Sequence, residues 1–263
     1  MTVDYSTVTE TAAARLTREA LSMQYSRYRH AAEFCDGKDV LEVACGAGQG
    51  LGYLARTARR VVGGDYTFGL LRHAQGHYHG RIPLFQLDAQ ALPFRDRAFD
   101  VVLLYEAIYY LAQPERFLTE CRRILRDNGV LLLCTVNREW SDFNPSPFSV
   151  RYYSAAELEA LMTSLHFQVE LRGAFPTRTG AIIDTIVSRV KRLAIALGLM
   201  PKTMKGKQVL KRLFLGELAA PPREVHDAMA PYAPAVPLAS PRVASEFKIV
   251  MAVAHPEPSA GPR

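Results

Sequence analysis

Five stretches of this chain place ligand-holding residue types directly after an apolar run. Gly46-Ala47-Gly48-Gln49-Gly50 follows Val40-Leu41-Glu42-Val43-Ala44, Asp65 follows residues 60–64, and Asp88 follows 84–87. Glu106 follows 99–104, and Asn137 follows 130–136. Glycines let a backbone approach a ligand where a Cβ would clash. Asp65, 19 residues beyond Gly46, is placed to accept hydrogen bonds from a ribose diol. A dinucleotide fits less well. Its G-x-G-x-x-G/A fingerprint, started at Gly46, would need a small residue where Leu51 stands, and Glu42 would repel a pyrophosphate. A cationic or amino-acid-bearing ligand would tolerate that carboxylate. Glu106 is of a type that can take a proton from a hydroxyl or orient an amine. The blander alternatives are a structural glycine turn, a helix cap at Asp65 and a solvated turn at Asp88. His73, His77 and His79 read as solvated loop histidines, so no metal site is expected.

These residues need a scaffold that brings separated strand ends together. Apolar runs at 39–44, 60–64, 84–87, 99–104 and 130–136 read as strands, the last entered through a turn at Asp127-Asn128-Gly129. Helices are expected at 11–34, 51–57, 67–75 and 114–125, the last with Pro114 at its first position. Alternation of this kind predicts a Rossmann-like α/β fold, a doubly wound, mostly parallel sheet that collects ligands at the carboxyl ends of its strands. A polar and aromatic loop (137–153), a helix (155–164) and a strand (167–173) follow. A helical insert then precedes the last strand. The expected domains are an N-terminal helical cap (1–34), a core (35–175), a basic and proline-rich insert (176–245), a final strand (246–255) and a tail (256–263).

Composition sets bounds. The 263 residues are 49% hydrophobic and 22% charged, ordinary values for a globular chain. No apolar run reaches the roughly 18 residues needed to span a bilayer. Cys35, Cys45, Cys121 and Cys134 show no C-x-x-C spacing, which suits reduced, buried thiols and a cytoplasmic protein. Charge is uneven. Residues 181–216 hold eight basic residues against one acid, a net +7 in a chain of net +6, so the remainder is −1. An apolar stripe from Ile182 to Leu197 runs through this segment, which could lie on an anionic membrane as a peripheral contact or pack as an ordinary helical subdomain. No RNA- or DNA-binding module is visible.

The stretch Val40-Leu41-Glu42-Val43-Ala44-Cys45-Gly46-Ala47-Gly48 resembles the first motif of class I S-adenosylmethionine-dependent methyltransferases. Asp88-Ala89-Gln90-Ala91-Leu92-Pro93-Phe94 with Phe99-Asp100-Val101-Val102, and Arg123-Ile124-Leu125-Arg126-Asp127-Asn128-Gly129-Val130-Leu131, are similar to signatures of the ubiquinone-biosynthesis-like branch. The resemblance covers roughly residues 25–175. It implies S-adenosylmethionine as cofactor, bound by Tyr28, Glu42, Ala44, Gly46, Gly48, Asp65, Tyr66, Asp88, Ala89 and Tyr105. Ala44 departs from the glycine of many relatives. Glu106 would face the transferred methyl group, and Tyr105-Glu106-Ala107-Ile108-Tyr109-Tyr110-Leu111 resembles a stretch of sugar N-methyltransferases. Substrate contacts are expected from Tyr109, Asn137, Trp140 and Tyr153. The implied reaction is O- or N-methylation of a small molecule, a saccharide or glycolipid precursor first. C- or O-methylation of a quinone or polyketide, and a non-catalytic cofactor-binding scaffold, are the alternatives.

Overall fold

The computed structural model describes Tyr5 and residues 15–177 and 218–258. The strands among them are β1 (Asp39–Val43), β2 (Arg60–Asp65), β3 (Leu84–Gln86), β4 (Phe99–Tyr105), β5 (Leu125–Val136), β6 (Phe167–Pro176), β7 (Val236–Pro237) and β8 (Phe247–Pro256). The helices are α1 (Arg18–Ala32), α2 (Leu51–Leu54), α3 (Phe68–Tyr78), α4 (Pro114–Ile124) and α5 (Ala155–Ser164). One sheet holds every strand, ordered β3-β2-β1-β4-β5-β8-β6-β7. β1 pairs in parallel with β2 and β4, and β3 and β5 extend the parallel part on either side. β8 runs antiparallel to β5 and β6, and the short β7 closes the edge. Chain order reverses between β1 and β4, which opens a crevice at the carboxyl ends of the strands.

The strands read as continuous apolar runs because both faces of the sheet are covered. Successive side chains point to opposite faces. Leu41, Val43, Val102 and Leu104 join Phe117, Leu118 and Ile124 of α4 and Leu158 and Met162 of α5 on one side. Val40, Val101 and Leu103 join Tyr25 and Tyr28 of α1, Leu51 and Leu54 of α2, and Leu71 and Ala74 of α3 on the other. Helix starts are locally encoded. Thr17 accepts from the Ala20 N–H at α1, and Ser154 with Glu157 forms a reciprocal capping box at α5.

Some details depart from expectation. α2 stops at Leu54 after a single turn. The turn expected at Asp127-Asn128-Gly129 lies inside β5, where Phe99 opposes Leu125 but Val101 opposes Val130. The extra residues form a bulge that the ladder absorbs. The proline-rich residues 218–235 run along α1 and α2. Ala219 pairs with Leu16, the Val225 N–H donates to the Gln49 carbonyl, and the Ser22 hydroxyl donates to the Pro231 carbonyl. Asp227 accepts from Tyr53, Tyr25 and Arg56. The basic segment 181–216 lies outside the described residues. All four cysteines are free and buried. Among the described residues no helix is long and apolar enough to cross a membrane.

A charged knot fixes the opposite end of the sheet. Asp39, buried at the start of β1, accepts two hydrogen bonds from Arg59 (3.0 and 2.6 Å) and one from Arg126 (2.9 Å). Arg126 also reaches Asp100 at 2.6 Å, and Asp100 accepts the Asp39 N–H at 2.8 Å. Burial works against the Asp39 charge, but the arginine hydrogen bonds outweigh it and hold its pKa below the usual carboxylate value. The isosteric change Asp39→Asn should therefore cost roughly 2 kcal/mol near neutrality, a fall in Tm of about 4–8 °C for a chain of this size. Because the folded-state pKa is lowered, the penalty should be full above the unfolded value and fade as pH falls below about 4. Thermal unfolding of both proteins between pH 3 and 8 checks it, and a pH-independent difference would discount the charge.

Candidate active site

At the carboxyl end of β1 the chain enters a left-handed turn. Ala44, Gly46 and Gly48 have φ of 57°, 58° and 78°, so Ala44 occupies a conformation that costs an L-residue about 1 kcal/mol. The Asp65 carboxylate pins this turn from β2. It accepts the Gly46 N–H at 2.8 Å with one oxygen and the Thr67 N–H at 2.8 Å with the other. Burial raises its pKa, and the N–H groups of Thr67, Gly46 and Tyr66 oppose that rise. Asp65 thus ties the glycine turn to the start of α3.

Two tyrosines clamp the glycine turn. Tyr28 lies so close that a Cβ on Gly50 would sit 1.8 Å from its ring. On the other side the Tyr78 hydroxyl donates to the Gly48 carbonyl at 2.6 Å and accepts the Gly52 N–H at 2.9 Å. Tyr78 was missed by the sequence reading, although its i+4 spacing from Ala74 on α3 marks it as facing the sheet. Gln24, which donates from α1 to the Gln49 side chain at 2.9 Å, was missed as well.

Glu42 projects from β1 beneath this turn and is 1% exposed. The Tyr28 hydroxyl donates to its Oε1 at 2.6 Å, while Oε2 is buried and makes no hydrogen bond. Burial pushes its pKa up to about 7, against the pull of the Tyr28 hydrogen bond and of Arg27. A buried acceptor without a donor beside left-handed glycines fits the ammonium end of an amino-acid-bearing ligand. Tyr105 edges onto Tyr28 at 5.7 Å and donates to the Arg27 carbonyl at 3.3 Å, so it backs this corner. Tyr66 is 40% exposed beside Asp65. Ala89 is buried. Asp88 lies on the surface, where one carboxylate oxygen accepts both the backbone and side-chain N–H of Gln90.

Glu106 follows β4 with φ of 52°, its N–H donating to the Cys134 carbonyl at 2.8 Å. Its Oε2 accepts from the Tyr109 hydroxyl at 3.3 Å, and the Cys134 thiol points at Oε1 from 3.7 Å. Tyr109 stacks on Tyr152 at 4.3 Å and 21°, and Phe143 meets Tyr152 edge-on at 4.6 Å. The other phenols are used internally: Tyr110 bonds the Ser146 hydroxyl at 2.7 Å, and Tyr152 accepts the Ser146 N–H at 2.9 Å.

The expected substrate contacts divide. Tyr109 borders Glu106. Asn137 does not face the crevice: it is fully buried, donates to the carbonyls of Ala244 (2.7 Å) and Phe247 (2.9 Å), and accepts the Glu139 N–H (3.0 Å). Its amide anchors the loop to β8 and has no donor left for an acceptor molecule. Tyr153 is likewise packed in the core, with the Arg151 guanidinium 5.0 Å from its ring centre. Trp140 carries the Lys248 ammonium over its ring at 5.5 Å, an ammonium already paired with Glu19.

Residues 41–133 match a family described as a methyltransferase domain. In this stretch the chain is similar to S-adenosylmethionine-dependent methyltransferases. Over 149 residues it is 38% identical to a protein of Mycolicibacterium smegmatis named a probable S-adenosylmethionine-dependent methyltransferase, covering 54% of this chain and 57% of that one. It is 36% identical over 173 residues to a fatty-acid O-methyltransferase of the same organism (62% and 57% covered). A ubiquinone biosynthesis O-methyltransferase of Dinoroseobacter shibae is 30% identical over 143 residues (53% and 55% covered). The chain thus spans under two thirds of the length of these relatives. Two solved structures share the fold with TM-scores of 0.58. One is a Thermotoga maritima S-adenosylmethionine-dependent methyltransferase described as a possible histamine N-methyltransferase, 16% identical over 91% of this chain and 94% of that one. The other is a [4+2]-cyclase, 17% identical over 88% and 80%.

The buried carboxyl of Glu42 gives a stability prediction. Glu42→Gln leaves Tyr28 an oxygen to bond but removes the charge. The raised folded-state pKa means that wild-type stability is lost as Glu42 ionises, progressively between the unfolded value and about 7. The ligand-free variant should therefore be the more stable protein above pH 7, by up to about 3 kcal/mol, with the gain vanishing toward pH 4. Thermal unfolding across that range checks it. Equal midpoints at pH 8 would mean that the carboxyl carries no such burden.

Proposed function

We propose that the protein transfers a methyl group from S-adenosylmethionine to a hydroxyl of an amphiphilic small molecule, a lipid or glycolipid precursor. The observation that carries this reading is the pairing of Glu106 with an aromatic wall whose hydroxyls are spent internally. Tyr109 and Tyr152 are buried and stacked on each other beside that carboxylate, half-buried Tyr110 and Phe143 border the stack, and Phe148 and Val150 stand 55% and 60% exposed in the 137–153 loop. Such a surface suits an apolar chain or the flat face of a sugar ring better than a heavily charged acceptor. Similarity to the fatty-acid and ubiquinone-pathway O-methyltransferases supports the lipid side of the proposal.

Glu106 favours an acceptor that arrives protonated. A carboxylate acceptor would be repelled by it, whereas a hydroxyl can donate to it and then lose its proton to it as the oxygen attacks. The same geometry would serve an amine. The cofactor, when bound, supplies the electrophilic methyl on its sulfonium sulfur. The chain's own part is alignment and exclusion of water. Glu42 would receive the ammonium of the methionine moiety, Gly46 and Gly48 would border it, and Asp65 would take the ribose hydroxyls. Asp88 and Ala89 would meet the adenine.

Calorimetric titration with S-adenosylhomocysteine tests the cofactor half. Wild type should bind, and Asp65→Ala should weaken binding at least about tenfold through loss of charge-assisted hydrogen bonds, thermal unfolding serving as the folding control. Labelled methyl transfer to a panel of hydroxylated lipids, glycolipids, free sugars and quinols then tests the acceptor half. Glu106→Gln should lower kcat by about 10²-fold or more while S-adenosylhomocysteine binding persists. Indifference of turnover to that change would remove Glu106 from the chemistry, and transfer to free sugars alone would remove the lipid.

A further inference from the structure

Tyr5 touches both sides of the crevice. Its backbone N–H donates to the Thr67 hydroxyl at 3.4 Å, which sets it over the start of α3 beside Asp65 and Tyr66. Its ring lies edge-on to Tyr66 with centroids 6.3 Å apart, tilted against Tyr110 at 5.0 Å, and perpendicular to Phe148 at 6.5 Å. Burial, Tyr66 and the nearby Asp88 carboxylate together raise its phenol pKa. Tyr66 and Asp88 belong to the ends of β2 and β3, the side assigned above to the adenosine. Tyr110, packed against Tyr109 at 4.6 Å, and the exposed Phe148 lie on the side of the proposed acceptor wall. These two sides come from segments far apart in the chain, and the Tyr5 ring is in contact with each.

We infer that Tyr5 is a binding residue shared by cofactor and acceptor, one ring face completing the adenosine side and another completing the apolar acceptor wall. The inference rests on the proposed methyl transfer and adds to it a residue from the far N-terminus. It is a matter of ring surface. The hydroxyl is not required, so phenylalanine should replace tyrosine and alanine should not.

The 263-residue chain and its Tyr5→Ala and Tyr5→Phe variants would be titrated with S-adenosylhomocysteine, and then, saturated with it, with 1-decanol as an apolar probe. Loss of one aromatic partner should weaken each ligand roughly three- to tenfold in Tyr5→Ala. Tyr5→Phe should bind as wild type does, and the thermal midpoints of all three should agree. Wild-type affinity in Tyr5→Ala would overturn the inference while leaving the methyltransferase reading intact. A loss for S-adenosylhomocysteine without a loss for decanol would overturn the shared wall. Wild type that binds no S-adenosylhomocysteine would sink the functional reading first and this inference with it, and wild type that binds it but not decanol would refute the apolar acceptor side.

Discussion

The buried carboxylate of Glu42 is the constraint on which the crevice depends. A charged group at 1% exposure with one hydroxyl partner and one empty oxygen is costly to bury, and the surrounding structure is arranged so that the cost stays local. Tyr28 comes from α1 to meet it. The same ring fills the space over Gly50, so the packing of α1 on the sheet and the shape of the glycine turn follow from one contact. Strand β2 contributes Asp65, whose oxygens tie the turn after β1 to the start of α3. Three elements are thereby fixed around an acceptor that lacks a donor. Stability alone would favour an apolar residue there. The unfilled oxygen is the interaction that the ammonium of the proposed cofactor would satisfy.

What the sequence disclosed, and what it hid, follows from range. The turn at 44–50, Asp65, Asp88 and Glu106 were legible because each sits at the end of an apolar run, and strand ends in a doubly wound sheet converge whatever lies between them. Strand and helix positions were legible for the same reason. Asp127-Asn128-Gly129 misled because those residues promote turns in isolation, whereas pairing with β4 keeps them within a bulged strand. Asn137 misled because a strand-end amide looks the same in sequence whether it faces a ligand or caps backbone carbonyls more than a hundred residues away. Tyr5, Gln24 and residues 218–235 were hidden altogether. Their roles come from contacts between distant segments, which carry no local pattern.

Those distant contacts explain why the turn keeps its shape. Gln49, near its end, is bonded to Gln24 of α1 and to the carbonyl of Pro222, and its own carbonyl takes the Val225 N–H. Glu224, beside Val225, accepts from Arg81 at 3.1 Å and stands 2.7 Å from His77. A glycine-rich loop with this much side-chain and backbone bracing loses little further entropy when a ligand arrives, which is the condition for tight binding by backbone groups.

Two glutamates stand in contrasting environments. Glu42 is sealed in, and burial lifts its pKa to about 7. Glu106 is half-buried beside the Tyr109 hydroxyl, in a left-handed conformation that a glutamate adopts only at a cost. Strain of that kind persists where the neighbouring structure over-determines it, and here the Glu106 N–H is locked to the Cys134 carbonyl of β5. The left-handed turn leaves its carboxylate beside the Tyr109 hydroxyl, at the end of β4. The proposed function gives these two acids different tasks, Glu42 facing the ammonium of the cofactor and Glu106 the proton of the acceptor, and the sheet supplies both from neighbouring strands.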